Sequence, residues 1–334
     1  MSMPTPVNSR TVTVSVPATS ANLGPGFDCL GLALELRNEV MVTAGGPLLP
    51  YDDPQPTDYA VAVSGVDAGR VPADSRNLLV QAADTLFQRA GRRPTALTVS
   101  VHNQIPVGSG LGSSSAAIIA GLLAANAVSA AGWTQRRLLR LAVEMEGHPD
   151  NVAPALLGGL VLGVLPDATD GPAELILRRM PPPRSSVVVV LPDFPFLTAD
   201  ARAALPPTVS RADAIFNASR VALLLHALTS DDPECLRVAM GDRLHQPYRL
   251  PLIPGAPAAY EAAYAAGALG VALSGAGPSL LAFVADDGIA TNGDDANGAA
   301  VGRAMSDAFA AAGLASRTWL LRPSAAGARL TAAE

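Results

Sequence analysis

Pro106-Val-Gly-Ser-Gly-Leu-Gly-Ser-Ser-Ser-Ala-Ala117 places three glycines and four serines at the start of an apolar, alanine-rich run. Fold stability asks for no such backbone freedom there. A polyanion ligand does: glycines let the backbone close on phosphates, and a helix start offers unpaired N–H groups and a positive dipole end. The plain alternative is a flexible turn capped by serine. A strand before the loop and a helix after it are the setting a phosphate site needs, and they set the fold class expected around it.

Working outward, Thr11–Val16 alternates and is β-branched, a strand expected to end at Pro17. The loop Ala18-Thr-Ser-Ala-Asn-Leu-Gly-Pro-Gly-Phe-Asp28 follows, with Phe27 expected to anchor it in the core. Strands are expected over 32–44, 96–101, 187–191, 280–285 and 318–321. Helices are expected over 77–90, 115–128, 134–146 (Thr134 as N-cap), 211–228, 257–266 and 298–312. The helix from Ser115 is apolar nearly all round and so must be buried, its small residues allowing close approach. Residues 45–60 read as an exposed insertion, 166–183 as a linker, and 286–298 as a solvated acidic loop whose spacing does not match a calcium-binding hand. The pattern predicts an α/β first domain over 1–170 and an α+β second domain over 171–334.

Composition narrows the chemistry. All 23 basic residues are arginine, so no catalytic amine and no phosphate-loop lysine exists. Any phosphate binding must use backbone, hydroxyls, arginine or metal. A formal charge of −6 without a basic stripe argues against a nucleic-acid partner. Cys29 and Cys235 form no metal-ligand cluster and suit a reducing compartment. No apolar run is long enough to cross a bilayer and no basic-then-apolar leader is visible, so a cytoplasmic protein without membrane contact is expected.

The glycine pattern matches neither the dinucleotide fingerprint nor the lysine-bearing phosphate loop. A nucleotide on the N–H groups of residues 110–115 is the economical reading, with a serine hydroxyl and a carboxylate on Mg²⁺. Glu144 and Glu146 are the nearest carboxylates in sequence, or simply a solvated helix end. In Gly147-His-Pro-Asp-Asn151, Asp150 or Asn151 either caps a helix or stands beside a substrate hydroxyl. Arg202 and Arg249 are surface arginines or, with Asp28 facing an ammonium, the makings of an amino-acid pocket.

Three segments together resemble the GHMP small-molecule kinases. Residues 17–31 resemble that family's first motif, residues 106–117 its ATP loop, and Ser274-Gly-Ala-Gly-Pro-Ser279 its third motif. Residues 147–154 and 242–249 are similar to the branch that phosphorylates homoserine. The resemblance implies an N-terminal domain like domain 2 of ribosomal protein S5 and a ferredoxin-like C-terminal domain. It implies ATP- and Mg²⁺-dependent phosphorylation of the L-homoserine hydroxyl in threonine biosynthesis, in a homodimer. Carried onto this chain, it puts ATP on Pro106, Val107, Gly108, Ser109, Gly110, Leu111, Gly112, Ser113, Ser114 and Ser115. Ser114 and Glu144 would hold Mg²⁺. Asn22, Asp28 and Asn151 would line the acceptor site, Asp28 on the amine, while Arg202 and Arg249 take the carboxylate. Thr198 would sit near the transferring phosphoryl, and Asn22, Asn151, Thr198 and Arg202 would serve catalysis by positioning. Where relatives commonly carry a lysine and a glutamate before the first arginine, this chain has Ala199 and Asp200. Two other classes fit parts of the pattern: a nucleotide-regulated binding protein, which would bind ATP without turnover, and a dehydrogenase, which would bind NADH.

Overall fold

The computed structural model describes residues 9–167, 175–230, 232–285 and 296–332. The chain enters through β1 (Arg10–Ala21) and β2 (Leu30–Pro50), an antiparallel pair with Arg10 opposite Ala44. β3 (Asp58–Gly65), α1 (Leu78–Ala90) and β4 (Arg92–Asn103) make a crossover, since β3 and β4 run parallel. Then come α2 (Ser113–Val128), α3 (Gln135–Glu146), α4 (Pro149–Leu157), β5 (Leu160–Val164) and β6 (Ile176–Met180). The second half runs β7 (Ser186–Pro192), α5 (Thr198–Ala203), α6 (Arg211–Ser230), α7 (Leu236–Ala239), α8 (Gln246–Arg249) and α9 (Ala256–Ala265). It closes with the hairpin β8 (Gly270–Leu273) and β9 (Leu280–Val284), then α10 (Ala296–Ala311), β10 (Ser316–Leu321) and β11 (Arg329–Ala332).

Two sheets result. The first is ordered β11-β1-β2-β4-β3, with β5 and β6 added beside the start of β2; the second is β10-β7-β9-β8. The α/β-then-α+β expectation matches these two sheet-and-helix units. β7 joins them through its alternation. Val187 and Val189 enter the large core of the first unit, and Val188 and Val190 enter the smaller core beneath α9 and α10. A strand covered on both faces has no reason to alternate with polar residues, hence its four consecutive valines.

Local chemistry explains most boundaries. Asn77 caps α1 by accepting from the Leu79 N–H at 3.0 Å, and Thr134 caps α3 as expected. α2 approaches α1 so closely that a Cβ on Gly121 would strike the Leu79 carbonyl.

Three expectations require correction. β1 does not end at Pro17 but shifts register between Pro17 and Ala18, an irregularity that accommodates a residue without an N–H. Residues 45–60 are not an insertion. β2 continues to Pro50 through a second register shift, with Gly46 at φ 73°, and β3 begins at Asp58. The 166–183 stretch contains β6, paired to β5, so it is more than a linker. The domain division at 170/171 and residues 286–295 of the acidic loop lie outside the described residues.

Candidate active site

The three segments rich in glycine meet at one junction. Thr19 N–H donates to the Leu111 carbonyl at 3.1 Å, tying β1 to the phosphate loop. Gly275 N–H donates to the Ala21 carbonyl at 3.1 Å, and Ser279 N–H to the Ser109 carbonyl at 3.3 Å. Ser274 Oγ donates to the Gly110 carbonyl at 2.8 Å and lies 2.9 Å from Ser20 Oγ. A Cβ on Gly110 would collide with the Ser274 carbonyl, so the junction closes only with glycine there. Around it lies a cavity of about 360 Å³ lined by residues from every expected segment.

Gly108, Gly110 and Gly112 all have positive φ (68°, 79° and 70°), so the phosphate loop reverses at alternate residues. That alternation splits the ten expected nucleotide residues. Val107, Gly108, Gly110, Gly112, Ser113 and Ser114 line the cavity. Pro106, Ser109, Leu111 and Ser115 do not, because the loop's own packing uses them. Ser109 Oγ donates to the Pro106 carbonyl at 2.7 Å and accepts from the Leu111 N–H at 3.2 Å. Leu111 is in the core, and Ser115 Oγ donates to Glu146 at 2.9 Å. Ser113 and Ser114 open α2, so their N–H groups have no acceptor within the helix and face the cavity end of its dipole.

The carboxylate beside this helix start is Glu146, which accepts from Ser114 Oγ at 2.8 Å. Glu144 is not in the cavity. On α3 two residues are separated by about 200° of helix rotation, so only one of the pair can face Ser114. Glu144 points the other way, half-exposed, 3.4 Å from Arg89. The hydroxyl of Ser114, expected to share an ion with Glu144, is hydrogen-bonded in this structure to Glu146 instead.

The same cavity is lined by Asp28, Thr198, Arg202 and Arg249. Arg249 is 2 % exposed, with Nε donating to the Ala201 carbonyl at 3.0 Å and the guanidinium 5.0 Å from the Phe27 ring centre. No carboxylate among the described residues forms an ion pair with it. Burial, and then the neighbouring Arg202 charge, bring its pKa down to about 10. Buried His245 stacks on Phe27 at 5.1 Å and donates from Nε2 to the Gly24 carbonyl at 2.7 Å. A carbonyl can only accept, so Nδ1 is the bare nitrogen that faces Arg249 Nη1 at 3.4 Å. Burial holds the His245 pKa below its ordinary value, leaving the ring neutral beside that guanidinium. Phe27 therefore underlies two arginines instead of filling the core. Arg202 makes a two-bond ion pair with Asp28 (3.1 and 2.9 Å), whereas these residues were expected to face opposite ends of a ligand.

The third wall comes from the start of α4, which reaches the cavity because Gly31 admits the Asp150 backbone. Asn151 accepts from Thr19 Oγ1 at 2.8 Å, which leaves its amide N–H₂ as the group to offer a ligand. Asn22 is more constrained than expected. Its Nδ2 donates to the Gly275 carbonyl at 2.8 Å and its Oδ1 accepts the Asp28 N–H at 2.9 Å, so it braces the turn that it lines. His148 Nδ1 is hydrogen-bonded to the buried Asp150 carboxylate. Burial disfavours charge on His148, but the Asp150 hydrogen bond and charge outweigh it and raise the pKa above the ordinary value. Sequence reasoning missed this pair, as well as Arg70, Val71, Pro72, Asn77, Leu78 and Phe196 along the cavity. The segment 147–151 was marked as polar; Arg70 to Pro72 carried no motif. Burial, with the Asp150 and Asp28 carboxylates, pushes the Cys29 thiol up to about 11. Among the described residues no helix is long and apolar enough to cross a membrane.

Comparison with known proteins agrees with this geometry. Residues 77–159 match the family model of the GHMP kinases N-terminal domain, and residues 224–311 that of the GHMP kinases C-terminal domain. The chain is 43 % identical over 304 residues to a homoserine kinase of Trichormus variabilis, covering 91 % of this chain and 93 % of that one. It is 42 % identical over 317 residues to a homoserine kinase of Carboxydothermus hydrogenoformans, covering 95 % and 96 %. The crystal structure of homoserine kinase from Cytophaga hutchinsonii superposes with a TM-score of 0.80 at 28 % identity, covering 99 % of this chain and all of that one. With three motifs meeting at one cavity and relatives this similar along nearly its whole length, the chain belongs to the GHMP kinase family.

Proposed function

We propose that this protein transfers the γ-phosphoryl group of ATP to the side-chain hydroxyl of L-homoserine, giving O-phospho-L-homoserine and ADP. The observation that carries the reading is the buried guanidinium of Arg249, which forms no ion pair with a carboxylate among the described residues, in the same cavity as the open N-terminus of α2. A buried charge demands a partner. A carboxylate on Arg249 and Arg202, with an ammonium on Asp28, describes an amino acid. The N–H groups of Ser113 and Ser114 and the glycine turns describe a polyphosphate. Names of the relatives supply the particular amino acid.

The Mg²⁺ expected with ATP fits the Ser114–Glu146 pair. Both offer hard oxygen donors 2.8 Å apart in the lining of the cavity. When bound, the ion would offset charge on the transferring phosphate. The remaining work falls to the chain. The α2 N-terminus fixes the phosphates and the arginines fix the acceptor's far end. Asn151 Nδ2 and the Thr198 hydroxyl orient groups between them. An acceptor hydroxyl needs in-line placement more than a strong base, since bond formation to it lags departure of the leaving group. Under this reading residues 1–170 carry the nucleotide and 171–334 supply both carboxylate-binding arginines.

A coupled assay for ADP, with ³¹P NMR of the product, tests the assignment. L-Homoserine should be turned over with ATP and Mg²⁺. Turnover of another alcohol but not of L-homoserine would transfer the protein to a different acceptor.

A further inference from the structure

Asp28 and Arg202 are suited to opposite ends of an amino acid, yet here they hold each other. Two parallel hydrogen bonds join them, and the side chains keep 35 % and 41 % exposure, so both remain reachable from the cavity. They come from different segments of the chain. Asp28 sits on the turn after β1 at φ 57°, its N–H accepted by Asn22 Oδ1. Arg202 sits on α5, the helix that begins with Thr198. A second tie holds α5, the bond from Arg249 Nε to the Ala201 carbonyl.

We propose that the Asp28–Arg202 pair is a charge-exchange latch that selects zwitterionic acceptors. The ligand's ammonium takes the place of Arg202 on Asp28 while its carboxylate takes the place of Asp28 on Arg202. The inference rests on the amino-acid reading of this cavity. Charge balance favours the exchange only for a molecule carrying both charges. The closed state holds one ion pair and leaves Arg249 without an ion-paired carboxylate among the described residues; a zwitterion leaves two ion pairs and gives Arg249 a carboxylate to share. A carboxylate lacking an ammonium would strand Asp28, whose carboxylate oxygen lies within 4.8 Å of a carboxylate oxygen of Asp150 and a ring nitrogen of His148. An amine lacking a carboxylate would strand Arg202 beside Arg249, the two guanidiniums flanking the same Phe27 ring. Half-exposed ion pairs are weak, so a small ligand suffices to open this one. Opening also removes one of the two ties on α5, so recognition of both charges is coupled to the placement of Thr198.

The test uses the full-length protein and acceptors that lack one charge. In Asp28→Asn, Arg202 has lost its competitor. The kcat/KM for 4-hydroxybutanoate, which has no ammonium, should rise roughly five- to tenfold over the unmodified protein. The same variant should lose about thirtyfold or more with L-homoserine. Asparagine tolerates the left-handed backbone at this position, so the turn is kept. Arg202→Gln is the mirror: it should raise kcat/KM for 3-aminopropan-1-ol, which has no carboxylate. A pair that is merely structural would lower turnover of all three acceptors together. If neither analogue gains in its variant, whether turnover is unchanged, lower or undetectable, the latch is overturned. Failure of the unmodified protein to use L-homoserine would instead overturn the acceptor reading itself.

Discussion

Replacing Arg249 with methionine should leave the ligand-free protein about as stable as before while removing its hold on the acceptor. Most buried arginines behave otherwise, because deleting one strands its partner carboxylate at a cost of about 3–5 kcal/mol. Arg249 has no such partner among the described residues. Its pKa falls from the ordinary arginine value to about 10 in the folded protein, first through burial and then through Arg202. The group is charged at neutral pH in both the folded and unfolded chain, so the lowered folded value is a cost of folding. At about 1.4 kcal/mol per pH unit it amounts to about 3 kcal/mol, present below pH 10 and relieved only above it. Against this stands the charged hydrogen bond to the Ala201 carbonyl, worth about 1.5–3 kcal/mol. Methionine keeps an unbranched apolar stem against Phe27. The two effects nearly cancel, and urea unfolding without ligand should change by no more than about 1 kcal/mol. The KM for L-homoserine should rise about thirtyfold or more, with nucleotide affinity unchanged. A ligand-free loss above about 3 kcal/mol would show that the charge is already compensated within the protein. An unchanged KM would remove Arg249 from the acceptor site.

Glu146→Gln should reduce kcat by about a hundredfold or more and raise the Mg²⁺ concentration needed, since even residues behind metal ligands cost roughly 10–100-fold. Glu144→Gln removes only an exposed pair with Arg89 and should change kcat by less than about fivefold; equal losses in the two variants would count against the metal assignment. The ring of His148 should titrate by NMR above the ordinary histidine value in the native protein and at a lower pH in Asp150→Asn, where burial is opposed only by the charges of Asp28 and Glu146. Because the folded pKa is raised, the pair's stabilisation is complete below the unfolded value near 6.5 and fades as pH rises through the folded one. A His148 midpoint unmoved by the substitution would refute the pairing.

Helices with a strong apolar face and a cap were legible in the sequence: α1 begins beside Asn77 and α3 beside Thr134, each placed by a local hydrogen bond. The failures share a cause. Pro17 and the Gly45–Gly46 pair carry local signals for stopping, yet pairing with β2 and β4 over many residues absorbs them as register shifts. In the site, residue types that must face charged groups were found, since arginine and aspartate in uncharged surroundings stand out. Which of Glu144 and Glu146 faces Ser114 depends on the rotation of α3 about its axis, a tertiary quantity. The mutual pairing of Asp28 and Arg202 joins residues 174 apart in sequence and leaves no trace in either segment. Arg70 to Pro72 enter the cavity through the path of the chain between β3 and α1, not through their own pattern.

The four valines of β7 have a consequence for how the molecule comes apart. A strand whose alternate side chains fill two different cores cannot leave one of them intact while abandoning the other. Loss of the second sheet would withdraw Val187 and Val189 from the large core, and loss of the first would expose the same strand from the opposite face. The two units are therefore separate in architecture but joined in melting. Heat or denaturant should act on one cooperative body, with the cavity lost in the same transition as the sheets that frame it.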